Sequence, residues 1–312
     1  METFVTTSKI IFPIFLLIAI GYVLRLAAII DDDGCAKMNK VAFRVFIPTM
    51  VFYNIYSSDT GMMFNAKLIA FAAVSVTGLF VLLMFIIPLV EKDNARRGVM
   101  VQGIFRSSFV VLGMGIVSSL YPDGNSGVAA MLSAVVAPMF NAYAVIALET
   151  FNVKKINLRR MVVNIITNPL IIGSVLAIAM LLLKLRLPVI VETVVADLSG
   201  IATPFALLVS GAAFHFSNVG DRLRQLIITC AAKLIIVPLI FVTISVMLGF
   251  RNVELISLLV LFGSPNAVSS HIMAFNSGAD EQLAGQIVVF STCFSAVTLF
   301  AFIYVLLSMG LI

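Results

Sequence analysis

The stretch Leu261-Phe262-Gly263-Ser264-Pro265-Asn266-Ala267-Val268-Ser269-Ser270-His271 lies inside an apolar run from about 253 to 275. Pro265 has no amide hydrogen and its ring clashes with the preceding turn, so a helix passing here is kinked or broken. The small and polar residues around it can re-satisfy the freed carbonyls. A second interruption occurs upstream, in the run 98–120, at Gln102-Gly103-Ile104-Phe105-Arg106-Ser107-Ser108, with Gly113 and Gly115 beyond. Paired broken spans near a bilayer midplane are where secondary transporters build their substrate sites.

The rest of the chain fits that setting. Of its 312 residues 61% are hydrophobic and only 11% charged, against about 25% charged in a soluble domain. Mean hydropathy is +1.14. Such a chain cannot coat a water-soluble globule, so the bilayer is its solvent. Lipid admits only helices and closed barrels. The apolar runs are about 20 residues long and do not alternate, which rejects a barrel. Ten can be marked, near 9–29, 41–58, 66–89, 98–120, 126–149, 160–183, 190–214, 224–249, 253–275 and 282–310. The first is long enough to span and is read as a membrane helix, not a signal peptide.

Lys and Arg on alternate loops number 13 on one side and 5 on the other. The richer side, which includes the basic loop 151–160, is expected in the cytoplasm, with both termini outside. The net charge of +5 is therefore a matter of topology and implies no nucleic acid. Cys35, Cys230 and Cys293 are far apart, and with only His215 and His271 beside them no metal site or disulfide is read.

At an offset of 156, Pro13 falls on Pro169 and Pro48 on Pro204, while Ser107-Ser108 falls on Gly263-Ser264. Five spans is an odd number, so residues 157–312 enter from the face opposite to residues 1–156. The expected fold is an all-α membrane protein of ten helices in two inverted five-helix repeats, with broken helices 4 and 9 crossing.

The candidate substrate-binding residues are Arg106, Ser107, Ser108, Asn141, Ser264, Pro265, Asn266, Ser269 and His271. A charged residue inside a span costs at least about 2.5–3.5 kcal/mol at the helix centre, so Arg106 either faces a cavity or snorkels. Facing a cavity, it would neutralise an anion, aided by half-helix ends whose free N–H groups attract negative charge. Each serine, taken singly, reads more readily as a small packing residue; the pair of segments at matching repeat positions reads as the site. Lys233 and Gln102 are candidates for coupling to a proton or sodium gradient; for Lys233 the competing reading is snorkelling. No acidic pair occupies either interruption, which argues against sodium/proton exchange chemistry. No cofactor is expected.

These residues also carry a resemblance. Phe46-Ile47-Pro48, Arg106-Ser107-Ser108 with Gly113 and Gly115, Pro138 with Asn141, and Thr203-Pro204-Phe205-Ala206-Leu207-Leu208 form one series. It continues through Lys233-Leu234-Ile235-Ile236-Val237-Pro238 and Pro265-Asn266-Ala267, then Ala274, Gly278-Ala279-Asp280, Leu283-Ala284 and Ser291-Thr292. Over nearly the whole chain the series resembles the auxin efflux carrier family, which includes the plant PIN carriers and bacterial malate and malonate permeases. Many members carry Asn in the fourth-span break where this chain has Ser107-Ser108. The resemblance implies spans 1, 2, 6 and 7 as scaffold and spans 3–5 and 8–10 as a moving transport domain, with a homodimer working by an elevator cycle.

The function expected is a carrier, not an enzyme, for small organic anions such as malate, malonate or auxin-like acids. A sodium-coupled symporter is the alternative within transport. Gln102, Asn266 and Gln286 would be its ion ligands. An intramembrane hydrolase would need Ser264 and His271 as a pair, seven residues apart across Pro265, and no Gly-x-Ser-x-Gly elbow occurs. A membrane sensor is the remaining class.

Overall fold

The computed structural model describes residues 16–57, 65–109, 126–152, 166–213 and 220–312, and a few single positions between them. All regular secondary structure among them is helical. Its elements are α1 (Leu16–Leu26), α2 (Asp32–Val41), α3 (Ile47–Tyr56), α4 (Ala66–Val90), α5 (Asn94–Phe105), α6 (Ser126–Asn152) and α7 (Pro169–Leu182). They continue as α8 (Val189–Ala212), α9 (Leu223–Ala231), α10 (Val237–Met247), α11 (Asn252–Gly263), α12 (Ser269–Ser277) and α13 (Glu281–Ser308). Among the described residues five helical stretches are long and apolar enough to cross a membrane, and α1, α7 and α11 are shorter apolar helices.

Their ends follow from local chemistry. The second helix starts at Asp32, well before the apolar run at 41, because the Asp31 carboxylate caps it, accepting from Gly34 N–H at 2.7 Å. Asn65, Asp93, Asn168 and Asp280 cap α4, α5, α7 and α13 in the same way. Two helices carry a π turn just ahead of a proline. Ala42–Phe46 joins α2 to α3 before Pro48, and Ala232–Ile236 joins α9 to α10 before Pro238. The widened turn absorbs the hydrogen bond that a proline cannot donate.

Packing sorts the helices into two groups. In one, α3 lies against α7 and α8, and α8 against α2. In the other, α4, α5 and α6 pack together, and α13 joins α5, α9, α11 and α12. Contact between the groups runs chiefly through α3 with α6, α7 with α6, and α12 with α2 and α8. Within the first group α1 and α8 approach at backbone distance. A Cβ on Gly21 would stand 2.0 Å from Leu208 O, and one on Gly211 2.0 Å from Ile18 O. Glycine is what allows that contact.

The second group is tied at both ends. At one end Asp280 accepts from Arg222 Nε at 2.8 Å and Arg96 Nε at 3.3 Å, its own N–H donates to Ala95 O, and Gln225 donates to Glu91. At the other end Asn65 donates to Glu254, Lys67 to Leu248 O, and Asn252 N–H to Leu311 O. The loops around Arg96 and Arg222 therefore share one end of the bundle, as the alternation of basic loops requires.

Candidate functional site

Both interruptions are real breaks, and they meet. Helix α5 runs 12 residues and stops at Arg106, whose backbone is extended (φ −75°, ψ 141°). Helix α11 also runs 12 residues and stops at Ser264 with nearly the same backbone (φ −65°, ψ 152°). Beyond these ends the strands of chain touch: Ser108 N–H donates to Pro265 O at 2.8 Å. Asn266 N–H donates to Ser291 Oγ of α13 at 3.1 Å, and Ser270 Oγ donates to Asn266 Oδ1 at 2.9 Å. Gln102 Nε2 donates to Ser270 O, joining α5 to α12. The backbone groups freed by the breaks thus find partners inside the protein, as a low-dielectric interior demands.

An aromatic wall holds the end of α5. Phe80 stacks on Tyr143 at 4.5 Å, Phe105 meets Phe80 edge-on at 5.5 Å, and Phe140 lies 6.0 Å from Phe105. These rings fix α4, α5 and α6 relative to one another and so fix where Arg106 emerges.

Arg106 does not snorkel. It is 3% exposed. One guanidinium nitrogen donates to Asn141 Oδ1 and to Ser269 Oγ, both at 2.7 Å, and the other donates to Met273 Sδ. It forms no ion pair with any described residue. Its three acceptors are neutral and come from α6 and α12. No described carboxylate balances this buried cation, and a guanidinium with five N–H donors has capacity for a further acceptor.

The cavity it faces has a volume of about 80 Å³ and lies between the two helix groups. Its far wall is Ile47, Met50, Val51 and Asn54 of α3 with Ala202, Thr203 and Ala206 of α8. The near wall is Arg106, Ser107, Ser108, Phe140 and Asn141, and the floor is Ala267, Val268 and Ser269 at the start of α12. Five of the residues singled out from sequence, Arg106, Ser107, Ser108, Asn141 and Ser269, therefore converge. Ser264, Pro265 and Asn266 belong to the crossing but do not line the cavity.

His271 lies apart. Its Nδ1 donates to Glu281 O at 3.1 Å, and its ring packs against Gly285 in a small pocket with Ser210 and Gln286. Ser264 and His271 make no hydrogen bond to each other, since Ser264 Oγ and His271 Nε2 are both without one. Lys233, on the π turn, is wholly buried with its amine unpaired among the described residues, so it does not snorkel either. The π turn that carries it packs against α5, α11 and α13, and Lys233 does not line the cavity. Met50, Val51, Asn54 and Met273 were not singled out from sequence, and Thr203 entered only in the series that carries the resemblance. All but Asn54 and Thr203 are apolar, and at helical spacing nothing distinguishes them from lipid-facing or packing residues.

Comparison with known proteins decides the family. A profile described as "Membrane transport protein" matches residues 6–303. The chain belongs to this family, that of the auxin efflux carriers. It is also similar, at 20% identity over 299 residues, to a protein of Methanothermobacter thermautotrophicus named an uncharacterized transporter. The match covers 95% of this chain and 97% of that one. The family member described here is thus a multi-pass membrane transport protein and not an enzyme.

Proposed function

We propose that the protein carries small organic anions, dicarboxylates of the malate and malonate type or auxin-like acids, by alternating access. The observation that carries this reading is Arg106: buried, at the crossing, with only neutral acceptors, on the wall of a midchain cavity. The start of α12 adds a second attraction, because Ala267 and Val268 on the cavity floor lead into Ser269, the first residue of a helix whose N-terminal end favours negative charge.

The cycle we propose is of elevator type. Helices α1–α3, α7 and α8 are the scaffold, and α4–α6 with α9–α13 carry the site. The position of the cavity on the boundary between these groups supports this. So does the likeness between the two 12-residue helices ending in extended breaks, which is what two inverted repeats over 1–156 and 157–312 would produce. We assign the end with the Asp280 clasp to the cytoplasmic side, a reading supported by the excess of basic residues there. Homodimerisation through the scaffold belongs to the same proposal.

The test is uptake of radiolabelled malate and malonate into liposomes, with a proton gradient, a sodium gradient or neither. Saturable uptake by the unmodified protein and loss of at least about tenfold in Arg106→Ala is expected, since a charge-assisted hydrogen bond contributes about 1.5–3 kcal/mol. Uptake untouched by Arg106→Ala would remove Arg106 from the site. Dependence on a sodium gradient would favour the symporter instead, with Gln102 and Gln286, whose buried carbonyl oxygens have no hydrogen-bond partner among the described residues, as the first ligands to replace.

A further inference from the structure

A second cavity, of about 290 Å³, lies on the same boundary between the helix groups. It is more polar than the first, and Glu149, Asn168, Asn276 and Ser277 line it. All four stand near helix ends on the Asp280 side of the bundle, so this cavity leads towards that side. The two cavities are arranged along the same pair of helices. On α6 the stripe runs from Asn141, in the first cavity, to Val145 and Leu148 in the second. On α12 it runs from Ser269 in the first to Asn276 in the second, with Met273 between them. Residues four apart share one face of a helix, so Ser269 and Met273 point the same way.

Met273 is where the two spaces are separated. Its side chain is buried, it lines the second cavity, and its sulfur accepts from Arg106, which lines the first. A thioether is the weakest of the three acceptors around this guanidinium. A carboxylate brings a full opposite charge and a bidentate fit to a guanidinium, neither of which a thioether offers. An arriving anion therefore displaces Met273 before it displaces Asn141 or Ser269. Methionine has three rotatable bonds and repacks readily.

We infer that Met273 is a plug between the central cavity and the cavity on the Asp280 side, held shut by Arg106 and released when an anionic substrate takes its place on the guanidinium. Binding and opening towards that side are then one event. The inference rests on the anion reading of Arg106, and its test separates the two.

The protein is labelled with 13C at the methionine methyl groups, placed in nanodiscs and titrated with malonate. The Met273 resonance is assigned by its loss in Met273→Leu, and that of Met50, which lines the central cavity on the α3 side, by Met50→Leu. The expected result is that malonate shifts both resonances and that a soluble paramagnetic chelate broadens Met50, behind the plug, only when malonate is present. A shift of Met50 with Met273 unmoved would overturn the plug while leaving anion binding intact. Neither resonance moving would remove the anion reading and the displacement with it. In parallel, Met273→Leu keeps the bulk but gives Arg106 no acceptor, so apparent malonate affinity should rise several-fold; unchanged affinity would overturn the displacement.

Discussion

Arg106 and Asn141 form the contact on which anion selectivity should turn. Asn141 Oδ1 accepts from the guanidinium at 2.7 Å, and both side chains are buried. Asn141→Ala would leave Arg106 with one fewer acceptor and a looser orientation. We expect malonate KM to rise by about tenfold with little change in protein stability, because a hydrogen bond to a charged group contributes about 1.5–3 kcal/mol and part returns through the other acceptors. Initial-rate uptake over a range of malonate concentrations checks this. Arg106 was legible in the sequence because a charge inside an apolar run has few explanations. Asn141, beside Pro138, was legible for a similar reason. Met273 was not, since its role depends on a neighbour 167 residues away. Lys233 shows the limit from the other side: its burial is an outcome of packing among α5, α11 and α13, and no local pattern distinguishes it from a residue that reaches the interface.

Elements were readable where chemistry is local. Pro265 announces its break, and the small polar residues after Arg106 announce the other. The π turns before Pro48 and Pro238 were not readable, because a widened turn and a simple kink begin from the same proline. The early start of α2 was missed because hydropathy alone overlooks a polar first turn capped by Asp31. The approach of α1 to α8 also needs both helices at once. Gly21 and Gly211 face each other's backbones, so Gly211→Val would drive a side chain into Ile18 O. Overpacking of this kind costs about 1–3 kcal/mol, and a fall in melting temperature in detergent, with α4–α6 untouched, is the expected outcome. Gly200→Ala, with open space around it inside α8, is the control and should hold or slightly raise the melting temperature, since alanine is the better helix former.

For the molecule as a whole, the elevator cycle proposed above makes transport depend on the relative motion of the two helix groups. Cysteines at Val51 and Ala137, on opposite walls of the central cavity, joined by a bifunctional reagent in a background without native cysteines, should arrest malonate uptake. Restored uptake on cleaving the linker completes the check; full uptake with the linker in place would mean that the groups do not move apart. The clasp at the Asp280 end gives stability a pH dependence. Burial tends to raise the Glu91 carboxyl, yet hydrogen bonds from Asp93 and Lys92 backbone and from Gln225 hold it below its ordinary value of 4.5. A carboxyl lowered in the folded state contributes stability above its unfolded pKa and loses it as pH falls through the folded one. Thermal stability should therefore drop below about pH 4.5, and Glu91→Gln should flatten that drop. One further consequence comes from Asn266, whose amide is fastened to Ser291 in the middle of α13. With 28 residues at about 1.5 Å each, that helix is a rod of about 42 Å. Wherever the rod slides, the crossing must slide with it. A pair of spin labels, one at the foot of the rod and one on α7, is thus a ruler for the travel of the cargo, read without a single atom placed near the cargo itself.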